Sequence, residues 1–181
     1  METLLTQNTA QPDFDAVYEQ YRPVIRNYLI HLVSDPGLAD DLTQDTFLRA
    51  WRAIYLKQVP VDASHMSAYL YRIATNVAYD VLRRRKLIRW NSLDDLEYEQ
   101  TSAQGDDPQA QYNGPRESIA LALELMPAVY RSALLLYLQE GYSYAQIAQT
   151  LSIAPKGVKM LLTRARRRFR LHYRELESAH V

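Results

Sequence analysis

The chain has 181 residues, 48% of them hydrophobic, enough for one ordinary domain or two small ones with a buried core. Its 21 basic and 21 acidic residues cancel and it has no cysteine, which excludes a uniformly basic binder, a disulfide framework and a cysteine zinc site. Residues 1–12 lack an apolar signal core, and no run approaches the roughly 18 apolar residues of a membrane span, so a cytoplasmic location is expected. His31, His65, His172 and His180 lie far apart in sequence, so neither a metal site nor a cofactor is expected.

The charges are not evenly spread. Acids gather at Asp35–Asp45 and Asp94–Asp107, bases at Arg83–Arg89 and Lys156–Arg174. Local patches matter because charge is screened over about 8 Å at physiological salt. After a loose tail over 1–12, Asp13 caps a helix whose stripe runs Phe14, Val17, Tyr18, Tyr21, Ile25, Tyr28, Leu29 and Leu32. Pro23 predicts a kink or break within it. Asp35-Pro36 predicts a cap and first-turn proline for a helix over about 37–55. Its broad apolar face holds Leu38, Leu42, Phe47, Leu48, Trp51, Ile54 and Tyr55, beside an acidic strip of Asp40, Asp41, Gln44 and Asp45. Acids in a first turn complement the helix dipole, which accounts for Asp40 and Asp41; Asp45 lies too far along for that.

A loop with Pro60 leads to Ser64, read as the cap of a helix over about 65–86. Leu70, Ile73, Ala74, Val77, Val81 and Leu82 form its apolar side. Tyr69, Arg72, Asn76, Tyr79, Asp80, Arg83 and Arg84 form the other, followed by Arg85. Aromatics beside bases make a platform for stacked nucleobases, although surface tyrosines and C-terminal cations are also ordinary in helices. Residues 90–114 are rich in Asp, Glu, Gln, Ser, Asn and Gly and read as a flexible linker.

Pro115 opens a helix to about Leu125, Pro127 starts another, and Gly141 stops it. Ser143 with Gln146 is a capping box for a short helix carrying Ile147, Ala148 and Leu151. Residues 151–154 are a tight turn, and Pro155 begins the last helix. Val158, Leu162, Ala165 and Phe169 make its buried stripe. Lys156, Lys159, Thr163, Arg164, Arg166, Arg167 and Arg168 occupy the other faces, and no acid occurs from Ser143 to Arg174. Two helices, a tight turn and a basic outer face have the layout of a DNA-binding helix-turn-helix; a solvated αα-hairpin is the plainer reading. No strand alternation, phosphate-binding glycine loop or catalytic pair stands out, so no enzymatic activity is expected.

Three motifs carry a family resemblance. Residues 41–51, DLTQDTFLRAW, are similar to DLxQETFLRAW. Residues 69–80, YLYRIATNVAYD, are similar to WLYRIARNLAxD. Residues 142–148 with Val158-Lys159 and Arg164-Ala165-Arg166 are similar to LSYEEIA…TVKSRLSRAR. In this order they resemble the extracytoplasmic-function (ECF) sigma factors of bacterial RNA polymerase, over about residues 13–90 and 115–172. The resemblance implies an all-α fold of two small helical domains: a region 2 bundle of three or four helices at 13–90, and a region 4 helix-turn-helix at 115–175. A linker at 91–114 joins them, with tails at 1–12 and 176–181.

It also implies roles. Asp41, Leu42, Gln44, Asp45 and Phe47 would dock on the β′ coiled coil of core RNA polymerase, with the β flap a further contact. Residues 61–68, with Ser64 and His65 among them, would hold an unpaired base of the −10 promoter element together with Tyr69 and Asn76. Arg72, Arg83, Arg84 and Arg85 would hold phosphates. Lys156, Lys159, Met160, Thr163, Arg164 and Arg167 would face the −35 element. An anti-sigma factor or other regulator is an expected partner. The sequence departs from the family at Tyr69 for Trp, Ser152 for Gly, residues 154–157 for SxGT, and Met160-Leu161 for Ser-Arg. The last change removes a groove-facing Arg and supplies a side chain that can meet a thymine methyl but cannot bond guanine bidentately. A stand-alone helix-turn-helix regulator and a protein-sequestering module are the competing functions; neither needs both the acidic-apolar helix and the Tyr/Asn helix.

Overall fold

The computed structural model describes residues 12–62, 64–91 and 115–178. In chain order it has α1 (Phe14–Val33), α2 (Pro36–Trp51), a π-helical segment (Arg52–Leu56), α3 (Met66–Asn91), α4 (Pro115–Glu124), α5 (Ala128–Leu138), α6 (Tyr144–Leu151) and α7 (Pro155–Ser178). There is no strand among the described residues. The first three α-helices form one module and the last four a second.

Most boundaries follow local chemistry. The Asp13 carboxylate accepts from the Asp15 N–H, and Asp35 accepts from the Leu38 N–H at 2.9 Å with Pro36 in the first turn. Gly141 stops α5 at φ 67°, a left-handed conformation that costs glycine little. The Ser143–Gln146 capping box is complete. Ser152 ends α6 at φ 54°, doing with a Cβ what glycine does more cheaply.

The structure corrects several expectations. α1 does not break at Pro23 but runs through it as one helix, since Phe14, Val17, Tyr18 and Tyr21 before it and Ile25, Tyr28, Leu29 and Leu32 after it join one core. The helix expected to end near Tyr55 leaves α geometry after Trp51, where Lys57 N–H bonds the Arg52 carbonyl five residues back. Ser64 does not cap α3: its hydroxyl donates to Asp62, and Asp62 takes the His65 N–H. α3 continues past Lys86 to Asn91, inside the expected linker, and α7 reaches Ser178, inside the expected tail. The expected tail at 1–11 and linker at 92–114 lie outside the described residues.

The two modules pack on each other: α1 meets α4 and α5, and α3 meets α5 and α6. One buried cluster runs across both, from Ile25, Tyr28 and Leu32 through Leu70, Tyr71 and Ala74 to Leu134, Ile147 and Leu162. Tyr28, Tyr71 and Tyr142 form an edge-to-face chain, with centroids 5.1 Å and 5.5 Å apart. The Tyr142 hydroxyl bonds Ser67 at 2.7 Å, and Tyr79 of α3 bonds Ser132 of α5. Arg131 of α5 is buried. Its Nη1 donates to the Leu32 carbonyl at 2.8 Å and to Ser34 Oγ; its Nη2 donates to the Met126 carbonyl at 3.0 Å and to that of Glu124. Burial pulls the guanidinium below its ordinary pKa, and nearby Glu124 opposes this. Main-chain oxygens thus solvate a cation placed between the modules.

Candidate functional site

The residues expected to act lie on three helices, and their exposure sorts them. On α2, Asp41 and Gln44 are exposed and Asp45 is partly so. Leu42 and Phe47 are not available: they are 5% and 3% exposed. Phe47 packs edge-on against Tyr18, centroids 4.9 Å apart, and against Phe14. These two residues hold α2 in the bundle.

The apolar side chains that α2 shows to solvent are Leu48 and Trp51, 45% and 38% exposed. They continue the Asp41–Gln44 row at the next four- and three-residue steps, so that spacing was the signal that marks them. Trp51 stacks on Tyr55 of the π-helical segment, centroids 5.7 Å apart. Asp45 pairs with Arg49 at 2.9 Å. Asp40 pairs with Arg26 of α1, which holds its carboxyl below the ordinary range and uses it inside the module.

On α3, Arg72, Asn76 and Arg83 are exposed and Tyr69 partly so, all along one row at steps of three, four and seven. Burial raises the Tyr69 hydroxyl's pKa. α3 meets the second module through Ser67, Tyr71 and Tyr79, and Tyr79 lies beside this row, about 20° round the helix from Arg72. Arg83 pairs with Asp80 at 3.1 Å and Arg85 with Asp35 at 3.2 Å. Arg72 and Arg84 are exposed, carry no ion pair among the described residues and are open to a phosphate. Ser64 and His65 are exposed ahead of the helix and both bond Asp62, at 2.6 Å and 2.8 Å. Those bonds hold the Asp62 carboxyl down to about 2.

On α7, Val158, Leu162 and Ala165 are fully buried and Leu161 packs partly against the core. Lys156, Lys159, Met160, Thr163, Arg164 and Arg167 are all exposed, and none of the cations is ion-paired among the described residues. The basic face continues past Arg167 into an open cleft of about 760 Å³ lined by Tyr130, Arg164, Arg168, Leu171 and Arg174. Arg168 lies over the Tyr130 ring at 5.4 Å. A separate apolar groove of about 450 Å³ lies between α4, α5 and α7, lined by Ile119, Leu123, Leu134, Leu138 and Phe169.

An acidic-apolar helix, a Tyr/Arg/Asn row and a basic second helix of a helix-turn-helix thus sit on one chain. Residues 17–88 match the Sigma-70 region 2 family, and residues 116–169 match Sigma-70, region 4. The ECF RNA polymerase sigma factor SigL of Mycobacterium tuberculosis is 31% identical over 161 residues, covering 89% of this chain and 89% of SigL. The chain belongs to the ECF sigma factors. SigE of Mycolicibacterium smegmatis is 30% identical over 163 residues; the match covers 89% of this chain but only 62% of SigE. Among solved structures, the sigma factor RpoE of Bartonella quintana, in complex with the anti-sigma factor NepR, superposes with a TM-score of 0.69 at 25% identity. That match covers 90% of this chain and 97% of RpoE. The two family matches end before residues 170–178, so the last turns of α7 lie beyond the matched region. Among the described residues no helix is long and apolar enough to cross a membrane.

Proposed function

We propose that the chain is an alternative sigma factor that brings core RNA polymerase to particular promoters in the cytoplasm and assists DNA opening, with the polymerase supplying the catalysis. α2 docks on the β′ coiled coil through Asp41, Gln44 and Asp45, completed by Leu48 and Trp51. The charged rim steers association, and the two apolar side chains supply buried area at the centre. The apolar groove of the second module takes the β flap.

On α3, Tyr69 and Asn76 receive an unpaired base of the −10 element while Arg72 and Arg84 neutralise phosphate. Such a pocket must replace the stacking a base loses on leaving the duplex, a few kcal/mol. Ser64 and His65 border it. α7 lies in the major groove of the −35 element, with Lys156, Lys159, Arg164 and Arg167 supplying positive charge. An anti-sigma factor or other regulator is proposed to control access to these surfaces.

The observation that carries this reading is the row of exposed, unpaired cations on α7 directly opposite a fully buried stripe, on a chain that also presents the α2 and α3 rows. A helix-turn-helix regulator acting alone has no use for those two rows. Run-off transcription with purified core polymerase on genomic fragments is the test. Initiation that depends on the added chain is expected; none at any template, with stable duplex binding by the chain alone, would favour the stand-alone regulator.

A further inference from the structure

Met160 is 58% exposed, and its outward neighbours within one turn, Lys156, Lys159, Thr163 and Arg164, are polar or cationic. At 100° per residue it lies about 200° round from buried Val158, at the middle of the outward face. Lys156 is one turn before it and Arg164 one turn after. Leu161, the other apolar departure from the family pattern, turns partly into the core and does not share this surface. Thr163, on the same face, donates its hydroxyl to the Lys159 carbonyl at 2.8 Å, so its proton is already used within the helix. The middle of the face therefore offers a thioether, a methyl-bearing side chain with no free donor, and cations at its edges.

We propose that Met160 is a specificity-determining residue that reads a thymine by its 5-methyl group in the major groove of the upstream promoter element. The inference rests on the proposed −35 role of α7. Guanine, adenine and cytosine present polar hydrogen-bonding groups and no methyl at their major-groove edge, whereas thymine presents a methyl beside its O4. Setting a thioether against the first three removes water from polar atoms without replacing its bonds. Against thymine it buries a methyl, and the flanking cations remain free to bond O4 or a phosphate. Met is unbranched and polarisable, which suits contact with one methyl. Duplex DNA rather than an apolar protein surface is the favoured occupant, because unpaired cations ring the methionine.

The test uses holoenzyme assembled from the full chain and core polymerase. Promoters are selected from a pool randomised across the upstream element, and each thymine in the winners is replaced in turn by deoxyuridine, which lacks only the methyl. At one thymine, the replacement should weaken binding about four-fold, the factor for one buried methyl. In Met160→Ala holoenzyme the same replacement should change nothing, and selection should no longer favour thymine there. Met160→Arg should shift the preference at that position toward guanine.

The proposal is overturned if no deoxyuridine has an effect, or if the effect persists in Met160→Ala. It is also overturned if Met160→Ala selects the wild-type sequences and loses only binding to a protein regulator. Transcription that never depends on the added chain would instead overturn the sigma assignment, and this proposal with it.

Discussion

Phe47 and Leu48 are neighbours in sequence, and one step of 100° separates a core residue from a surface one. Phe47 is 3% exposed and wedged between Phe14 and Tyr18, while Leu48 is 45% exposed. Phe47→Ala should therefore destabilise the fold by about 3–5 kcal/mol, as truncating a buried aromatic does. Urea unfolding measures this, and a loss below 1 kcal/mol would mean the cluster is not packed as described. Leu48→Ala, Trp51→Ala and Asp45→Arg should leave the unfolding midpoint nearly unchanged and weaken core-polymerase binding. Equal binding by all three, in a pull-down against wild type, would remove α2 from the docking surface. Asp45 also shows why surface ion pairs are a weak guide. Its bond to Arg49 is half-solvated, so reversing its charge changes what a partner meets more than it changes the helix.

The elements best legible in the sequence are those whose ends are fixed by a few local atoms. Ser143 with Gln146 and Pro155 each impose a boundary through their own chemistry, and the structure has both where the sequence puts them; α5 ends at Leu138, slightly ahead of Gly141. The expected break at Pro23 and the cap at Ser64 are absent because distant or stronger groups decide there. An interior proline costs a helix about 3 kcal/mol, but α1 buries one stripe on both sides of it. The Ser64 hydroxyl instead donates to the Asp62 carboxylate, a strong acceptor, and α3 begins only at Met66. The site was legible as rows of residues, but the sequence alone could not assign members of a broad apolar face to core or surface. Ser152 gives an element-scale prediction. Its left-handed φ of 54° is strained for a side chain with a Cβ and open to glycine. Ser152→Gly should stabilise the helix-turn-helix by about 0.5–1 kcal/mol and raise the melting temperature by about 2–4 °C. Calorimetry that shows a fall instead would mean Ser152 makes a compensating contact in the turn.

At the scale of the whole molecule, the packing between the modules is polar as well as apolar, and its polar part has a pH limit. Burial pushes the Tyr79 and Tyr142 hydroxyls up to about 12 from an ordinary value near 10. A raised tyrosine favours the packed state while the hydroxyl stays protonated. That contribution is full below pH 10 and is lost as pH rises from 10 to 12. Separation or unfolding of the modules should thus accompany tyrosinate absorbance in that window, and Tyr79→Phe should weaken the coupling. Promoter binding sets a second limit on the packed arrangement. The −10 and −35 elements are, as their names say, about 25 base pairs apart, roughly 85 Å at 3.4 Å per pair. A compact body of some 150 residues is roughly 40 Å across, so the α3 row and the α7 face cannot reach both elements while the modules stay together. The residues from 92 to 114 can span about 76–83 Å if fully extended, which is enough for the modules to part. Separation must break the Arg131 bonds to Leu32 and Ser34 while sparing those to Glu124 and Met126 within its own module. Because the chain has no cysteine, Gln20→Cys and Glu177→Cys can carry a dye pair without background labelling. The distance between the two dyes should grow by tens of ångströms from the free chain to the initiating complex. Arg131→Ala should lengthen the distance in the free chain, and Arg131→Lys, with one ammonium for two sets of oxygens, should do so less. An unchanged distance in a complex that initiates transcription would mean that the closed form itself engages the promoter and that only one of the two surfaces touches DNA.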